Sequence, residues 1–186
     1  SALEEDGLDA VHSGSESSQP LLDEYIDYEC DIPEEGLETV LTQERDRQFL
    51  YAPVLACTID HLMAATETRR GGRYILPSLR LLSSDLVIDE IDDFTGSDLI
   101  AIGRLIHLAG MLGRKVMISS ATIPPDLAEG YLHAYQQGWK LYAQTRDAGS
   151  EILCAWIDEV SSETQLINDN GGDMVESYRA HHAVFI

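Results

Sequence analysis

Apolar and polar positions alternate in blocks along the chain from residue 51 onward, and the blocks have the lengths of strands and helices. Pro53-Val54-Leu55-Ala56-Cys57 is a continuous apolar run of strand length, the pattern of a buried strand. Thr58 follows it and is placed to cap a helix from Ile59 to about Ala65. Gly71-Gly72 marks a turn, and Tyr74 to Leu82 reads as a short helix with Pro77 near its start. Leu86-Val87-Ile88 is a second strand, ending in Asp89-Glu90-Ile91-Asp92. Ser97-Asp98 opens a helix with Leu99, Ile102, Leu105, Ile106, Ala109 and Leu112 at helical spacing, and Gly113 closes it. Lys115 to Ser119 is a third strand. Pro124-Pro125 begins a helix through Leu127, Tyr131, Leu132 and Tyr135 that is expected to stop at Gly138. Beyond it, Ile152 to Ile157 reads as a strand and Asp173 to Phe185 as an amphipathic helix. Strands alternating with helices predict an α/β fold, a parallel sheet flanked by helices.

Before residue 51 the texture differs. No Lys or Arg occurs before Arg45, while acids run from Glu4 to Glu44. Residues 1 to 20 are polar and expected to be mobile, and residues 21 to 50 carry enough apolar positions to lie on a surface but not to form a core. The division expected is an acidic N-terminal segment over 1–50, an α/β unit over 51–140 and a connector over 141–186.

Composition narrows the function classes. The 186 residues are 44% apolar with a formal net charge of −21, a globular composition that on average repels nucleic acid. Any nucleic-acid contact would need a local basic surface, such as the cluster Arg69, Arg70 and Arg73. No apolar run reaches membrane-spanning length, so no membrane partner is expected. Cys30, Cys57 and Cys154 are too far apart in sequence for a metal motif and suit a reducing, cytoplasmic compartment.

The chemistry sits after two strands. In open α/β sheets, ligands bind at the carboxyl ends of the strands. An Asp there can hold Mg²⁺, and the neighbouring acid can orient or deprotonate an attacking water. Asp89 and Glu90 have those positions, with Asp92 two residues on. Ser120-Ala121-Thr122 follows the next strand, and its hydroxyls either link the acids to a nucleic-acid face or merely cap the helix entered at Pro124. Thr58 and Asp60 follow the first strand, where a helix N-terminus could meet a phosphate; an ordinary capped helix gives the same pattern. Arg73 could contact a backbone phosphate or be a solvated turn residue. His107, inside an apolar helix, reads as a core or boundary residue, and His181-His182 as a poor metal pair. No Gly-x-x-x-x-Gly-Lys-Ser/Thr loop, Gly-x-Ser-x-Gly, His-Glu-x-x-His or Cys-x-x-Cys pattern occurs.

The stretches from Pro53 to Met63, Leu79 to Phe94 and Ser119 to Leu127, with Arg70-Gly71-Gly72-Arg73, resemble the superfamily 2 helicase core of the CRISPR-associated helicase–nuclease family. The version from type I-F systems, fused to an adaptation subunit, is the most similar. The resemblance implies a partial RecA-like first helicase lobe in a DNA translocase that hydrolyses ATP with Mg²⁺. It further implies 3′-to-5′ unwinding and a separate metal-dependent nuclease domain. Implied partners are single-stranded DNA, a guide-RNA surveillance complex and the adaptation proteins of the same system. On matched positions, Asp89 is the Mg²⁺ acid and Glu90 the water-activating acid. Asp92 completes the DExD box, Ser120 and Thr122 belong to the coupling motif, and Thr58, Asp60 and Arg73 belong to the DNA side. The missing phosphate loop implies a segment of a longer polypeptide, expected to lack ATPase activity alone. The alternative is a catalytically inert acidic α/β module that holds a protein partner on a degenerate motor fold. The motor reading requires the acids to stand at the lip of an interior strand.

Overall fold

A computed structural model describes residues 37, 41, 43–66, 72–168 and 172–185. The acidic stretch before Leu37, together with Cys30, Arg69, Arg70 and Gly71, lies outside the described residues. In chain order the helices are α1 (Glu44–Tyr51), α2 (Asp60–Met63), α3 (Ile75–Ser83), α4 (Ser97–Met111), α5 (Pro125–Arg146) and α6 (Gly172–Phe185). The strands are β1 (Leu86–Ile88), β2 (Val116–Ile118), β3 (Ile152–Ile157) and β4 (Ser162–Ile167).

β1 and β2 pair in parallel, with Leu86 opposite Val116 and Ile88 opposite Ile118. The crossover between them is α4, as the sequence pattern requires. One face of this pair is covered: Leu86 and Ile88 are buried against Ile102, Leu105, Ile106 and Ala109 of α4. The other face is open, with Val87 at 65% and Met117 at 55% exposure. Each fully buried aliphatic side chain of α4 contributes about 1.5–3 kcal/mol, so this face of α4 is what fixes β1 and β2.

Three expectations are corrected. Pro53–Cys57 is not a strand among the described residues: it runs without regular pairing, and Val54 is 82% exposed. A cavity of about 1530 Å³ is lined both by this stretch and by β1. An apolar run becomes a strand only if a neighbour supplies its hydrogen bonds, and no described strand does so here. For the same reason β1 is not an interior strand: among the described residues its only neighbour is β2. Gly138 does not stop α5, which continues to Arg146. A Cβ on Gly138 would collide with the His107 carbonyl and the Met111 amide of α4, and one on Gly110 with the Tyr135 carbonyl of α5. These glycines mark the crossing point of the two helices, where backbone meets backbone.

The connector carries the expected strand and helix, β3 and α6, and adds a strand, β4, that the sequence did not announce. β3 and β4 form an antiparallel hairpin, with Leu153 opposite Leu166 and Trp156 opposite Glu163. Ile152 and Ile167 are buried, and Cys154, Trp156 and Val175 of α6 are half-buried in a small second core with Leu132 of α5. Burial pushes the Cys154 thiol up to about 11, as expected of a small hydrophobe and not of a reactive thiolate.

Candidate functional site

The register of β1 and β2 brings two loops together. The Ser119 amide donates to the Ile88 carbonyl at 2.8 Å, so the chain leaves both strands at the same edge. After β1, Glu90 takes a left-handed backbone (φ 52°), a conformation disfavoured for residues with a Cβ. It leads into a single tight helical turn, Ile91–Asp93, closed by the Asp93 amide on the Glu90 carbonyl at 3.1 Å. Ile91 is fully buried, whereas Asp89, Glu90 and Asp92 around it are exposed. One apolar anchor therefore pins a loop whose acids face solvent. Across from it, the Ser120 hydroxyl donates to the Asp92 carboxylate and also approaches the Thr122 carbonyl at 3.1 Å. Hydrogen bonds to an ionised acceptor are the stronger kind.

Of the two readings of Ser120 and Thr122, helix capping is not what the structure has. Pro124 occupies the position before α5, and no side chain caps that helix. Ser120 bridges two loops instead. Thr122 is exposed and joins through its backbone carbonyl.

The other candidate residues are distributed differently. Thr58 and Asp60 line the same cavity as Asp89, together with Val87 and Phe94. Thr58 is exposed and does not cap α2: the residue before the helix is Ile59, without a side-chain cap, and Thr58 enters only through its carbonyl, which accepts from the His61 amide at 3.2 Å. α2 has only four residues, too few to build an appreciable dipole. Arg73 stands exposed in the turn before α3 and does not line the cavity. His107 is half-buried and its Nδ1 sits 3.1 Å from the Ala134 carbonyl, a helix–helix contact of α4 with α5.

Two features escaped the sequence. Asp158 folds the β3–β4 turn by accepting from the amides of Val160 and Ser161 at 2.5 and 2.6 Å and from the Ser161 hydroxyl at 2.7 Å. That hydroxyl, then the two amides and His181, hold its carboxyl below the usual range against the opposing effect of burial. His181 of α6 places Nε2 3.3 Å from Asp158 and Nδ1 3.6 Å from Glu163 of β4. The second is Tyr178, whose hydroxyl donates to the Ile123 carbonyl, next to Thr122. Acids and a histidine scattered over residues 158–181 carry no spacing that announces such contacts. The one local signal is an Asp followed three residues on by a Ser, a common turn pattern that the reading above did not use.

Among the described residues, no three Asp, Glu, His or Cys side chains converge to hold a metal unaided. Mg²⁺ typically takes one or two carboxylates and completes its shell with water and phosphate oxygens. An exposed carboxylate directly after a strand, as at Asp89, suits that donor set. No helix among the described residues is long and apolar enough to cross a membrane.

Comparison with known proteins gives a consistent pair of relatives. Over 180 residues the chain is 44% identical to the CRISPR-associated nuclease/helicase Cas3, subtype I-F/YPEST, of Pseudomonas aeruginosa. It is 41% identical over 180 residues to the protein of the same name from Pectobacterium atrosepticum. Each match takes in 94% of this chain and 16% of the relative, so the chain spans about one sixth of the length of the curated relatives it matches. No family model matches the chain.

Proposed function

This chain belongs, as a segment, to the CRISPR-associated nuclease/helicase family of subtype I-F, and on that premise we propose that it forms part of the first motor lobe of an ATP-dependent DNA translocase. Among the described residues β1 has β2 as its one neighbour and Asp89 and Glu90 are exposed, so the interior strand that this reading calls for is not met within the segment. What supports the reading is the bridge from Ser120 to Asp92, made between loops leaving adjacent parallel strands, in a chain 44% identical to a protein named nuclease/helicase. In this reading Asp89 holds Mg²⁺ of a bound nucleoside triphosphate, and Glu90 orients the water that attacks the terminal phosphate. Asp89 would hold the ion, which when bound would supply charge neutralisation at the phosphate. Asp92 takes the proton end of the Ser120 hydroxyl and so ties the acid loop to the Ser120–Thr122 loop. Thr58, Asp60 and Arg73 belong to the DNA side. Single-stranded DNA, a guide-RNA surveillance complex and the adaptation proteins are the partners proposed for the whole polypeptide, in the cytoplasm.

The test is Asp89→Asn in the full-length polypeptide that carries this segment. Loss of the charge that would hold the metal is expected to lower DNA-stimulated ATP hydrolysis by about 100-fold or more, with little change in melting temperature because Asp89 is exposed. Hydrolysis at the unsubstituted rate would reject the motor reading and favour an inert binding module.

A further inference from the structure

Two contacts hold the loop after β2 to other parts of the chain. Ser120, which also approaches the Thr122 carbonyl within the loop, binds Asp92 close to the acids. The other comes from far away in sequence: the Tyr178 hydroxyl on the Ile123 carbonyl, 55 residues apart. The Ile123 side chain packs against the main core, so its carbonyl is a defined point and not a loose loop atom. One residue beyond Tyr178, Arg179 lies 3.5 Å from Asp126 in the first turn of α5. That pair is exposed and adds little energy, but it places α6 at the same corner.

The rest of α6 is fastened elsewhere. The Ser177 hydroxyl contacts the Gln165 side chain of β4. Val175 joins the small core with Ile167 and Trp156. His181 reaches Asp158 and Glu163. One helix therefore packs against α5 and β4 and also reaches the Ser120–Ile123 loop through the Tyr178 hydroxyl. Burial pushes that phenol above its ordinary value, so it stays protonated and donates throughout the neutral range.

We propose that Tyr178 is a positioning residue that sets the Ser120–Ile123 loop against Asp92, and that α6 transmits displacement of the β3–β4 hairpin to that loop. The inference rests on the motor reading of the acid cluster and adds a control point to it. A helix of this kind couples two regions because it holds both at once, the hairpin through Ser177 and His181 and the loop through Tyr178 between them, so moving one strains the other.

The experiment compares Tyr178→Phe, Ser120→Ala, the double variant and Asp89→Asn in the full-length polypeptide. Melting temperature, KM for ATP, hydrolysis rate and DNA strand displaced per ATP are measured for each. Tyr178→Phe is expected to lower displacement per ATP by about 3- to 10-fold, the effect of one lost hydrogen bond, with KM for ATP and melting temperature unchanged. The double variant is expected to be no worse than Ser120→Ala, because both act through one loop. Displacement per ATP as in the unsubstituted protein, a double variant whose losses multiply, or a loss that merely follows a lowered melting temperature would each overturn the assignment. If Asp89→Asn abolishes hydrolysis while Tyr178→Phe is fully coupled, this inference alone falls. If Asp89→Asn hydrolyses ATP normally, the motor reading falls and takes the inference with it.

Discussion

Arg80 does more for this fold than its position in a surface-length helix suggests. It is the one charged residue buried among those described, at 7% exposure. One guanidinium nitrogen donates to the Leu50 carbonyl at 2.8 Å and to the Ala52 carbonyl at 2.6 Å. Those carbonyls end α1, where a helix leaves acceptors without partners. Burial pulls the guanidinium down from its ordinary value, and the neighbouring Cys57 thiol opposes the shift. The thiol in turn is pushed up by its own burial. Arg80→Met keeps the apolar stem and removes both donors, leaving two carbonyls unsatisfied at about 1–3 kcal/mol each. Urea denaturation is expected to show a loss of about 2–4 kcal/mol, and hydrogen exchange should quicken first in α1. Unchanged stability would mean that water replaces the guanidinium at no cost. In sequence, Arg80 reads only as one more cation in a basic stretch, because nothing local encodes carbonyls that lie 28 and 30 residues away.

Helices set the limits of what could be read in advance. α3, α4 and α6 fall close to their expected ranges, since apolar spacing alone decides which face is buried. β1 and β2 were legible for the same reason, and so was their parallel pairing through α4. The errors have specific causes. Pro53–Cys57 has the apolar content of a strand, but its pairing depends on a neighbour that this stretch does not encode. β4, Ser162–Ile167, carries mostly polar residues on a two-sided hairpin and has no strong alternation to reveal it. Gly138 reads as a stop from propensity, yet its missing Cβ serves the α4–α5 crossing. At the candidate site, the order of the two motifs was legible, but the bridge between Asp92 and Ser120 was not, because it depends on the register of β1 and β2. The contribution of Tyr178 was not, because a phenol on an amphipathic helix looks like any boundary residue. The crossing gives a direct test. Gly138→Ala would gain about 1 kcal/mol in an isolated helix. Here the added methyl must push α4 and α5 apart, and overpacking of this kind costs about 1–3 kcal/mol. Net destabilisation is expected by thermal melting. A stabilised variant would show that the two helices separate without loss.

At the scale of the whole molecule, charge outweighs any single pair. Asp and Glu number 33 against 12 Lys and Arg, giving −21. The ion pairs seen among the described residues do not offset this: Arg179 and Asp126 are 61% and 91% exposed at the side chain, and such pairs are worth little. Self-repulsion therefore acts on the compact chain and is relieved on unfolding, as charges move apart. Salt screens that repulsion, with a Debye length of about 30 Å at 0.01 M falling to about 8 Å at 0.15 M. The melting temperature of the chain is expected to rise by about 2–4 °C over that range of sodium chloride, equivalent to about 1 kcal/mol. The sign is the informative part. If attraction dominated through Arg179–Asp126 and the His181 contacts, screening would lower the melting temperature instead. Scanning at both salt concentrations at pH 7 decides it. A rise places the stability in the cores around Ile102 and Ile167, with the surface charge working against it.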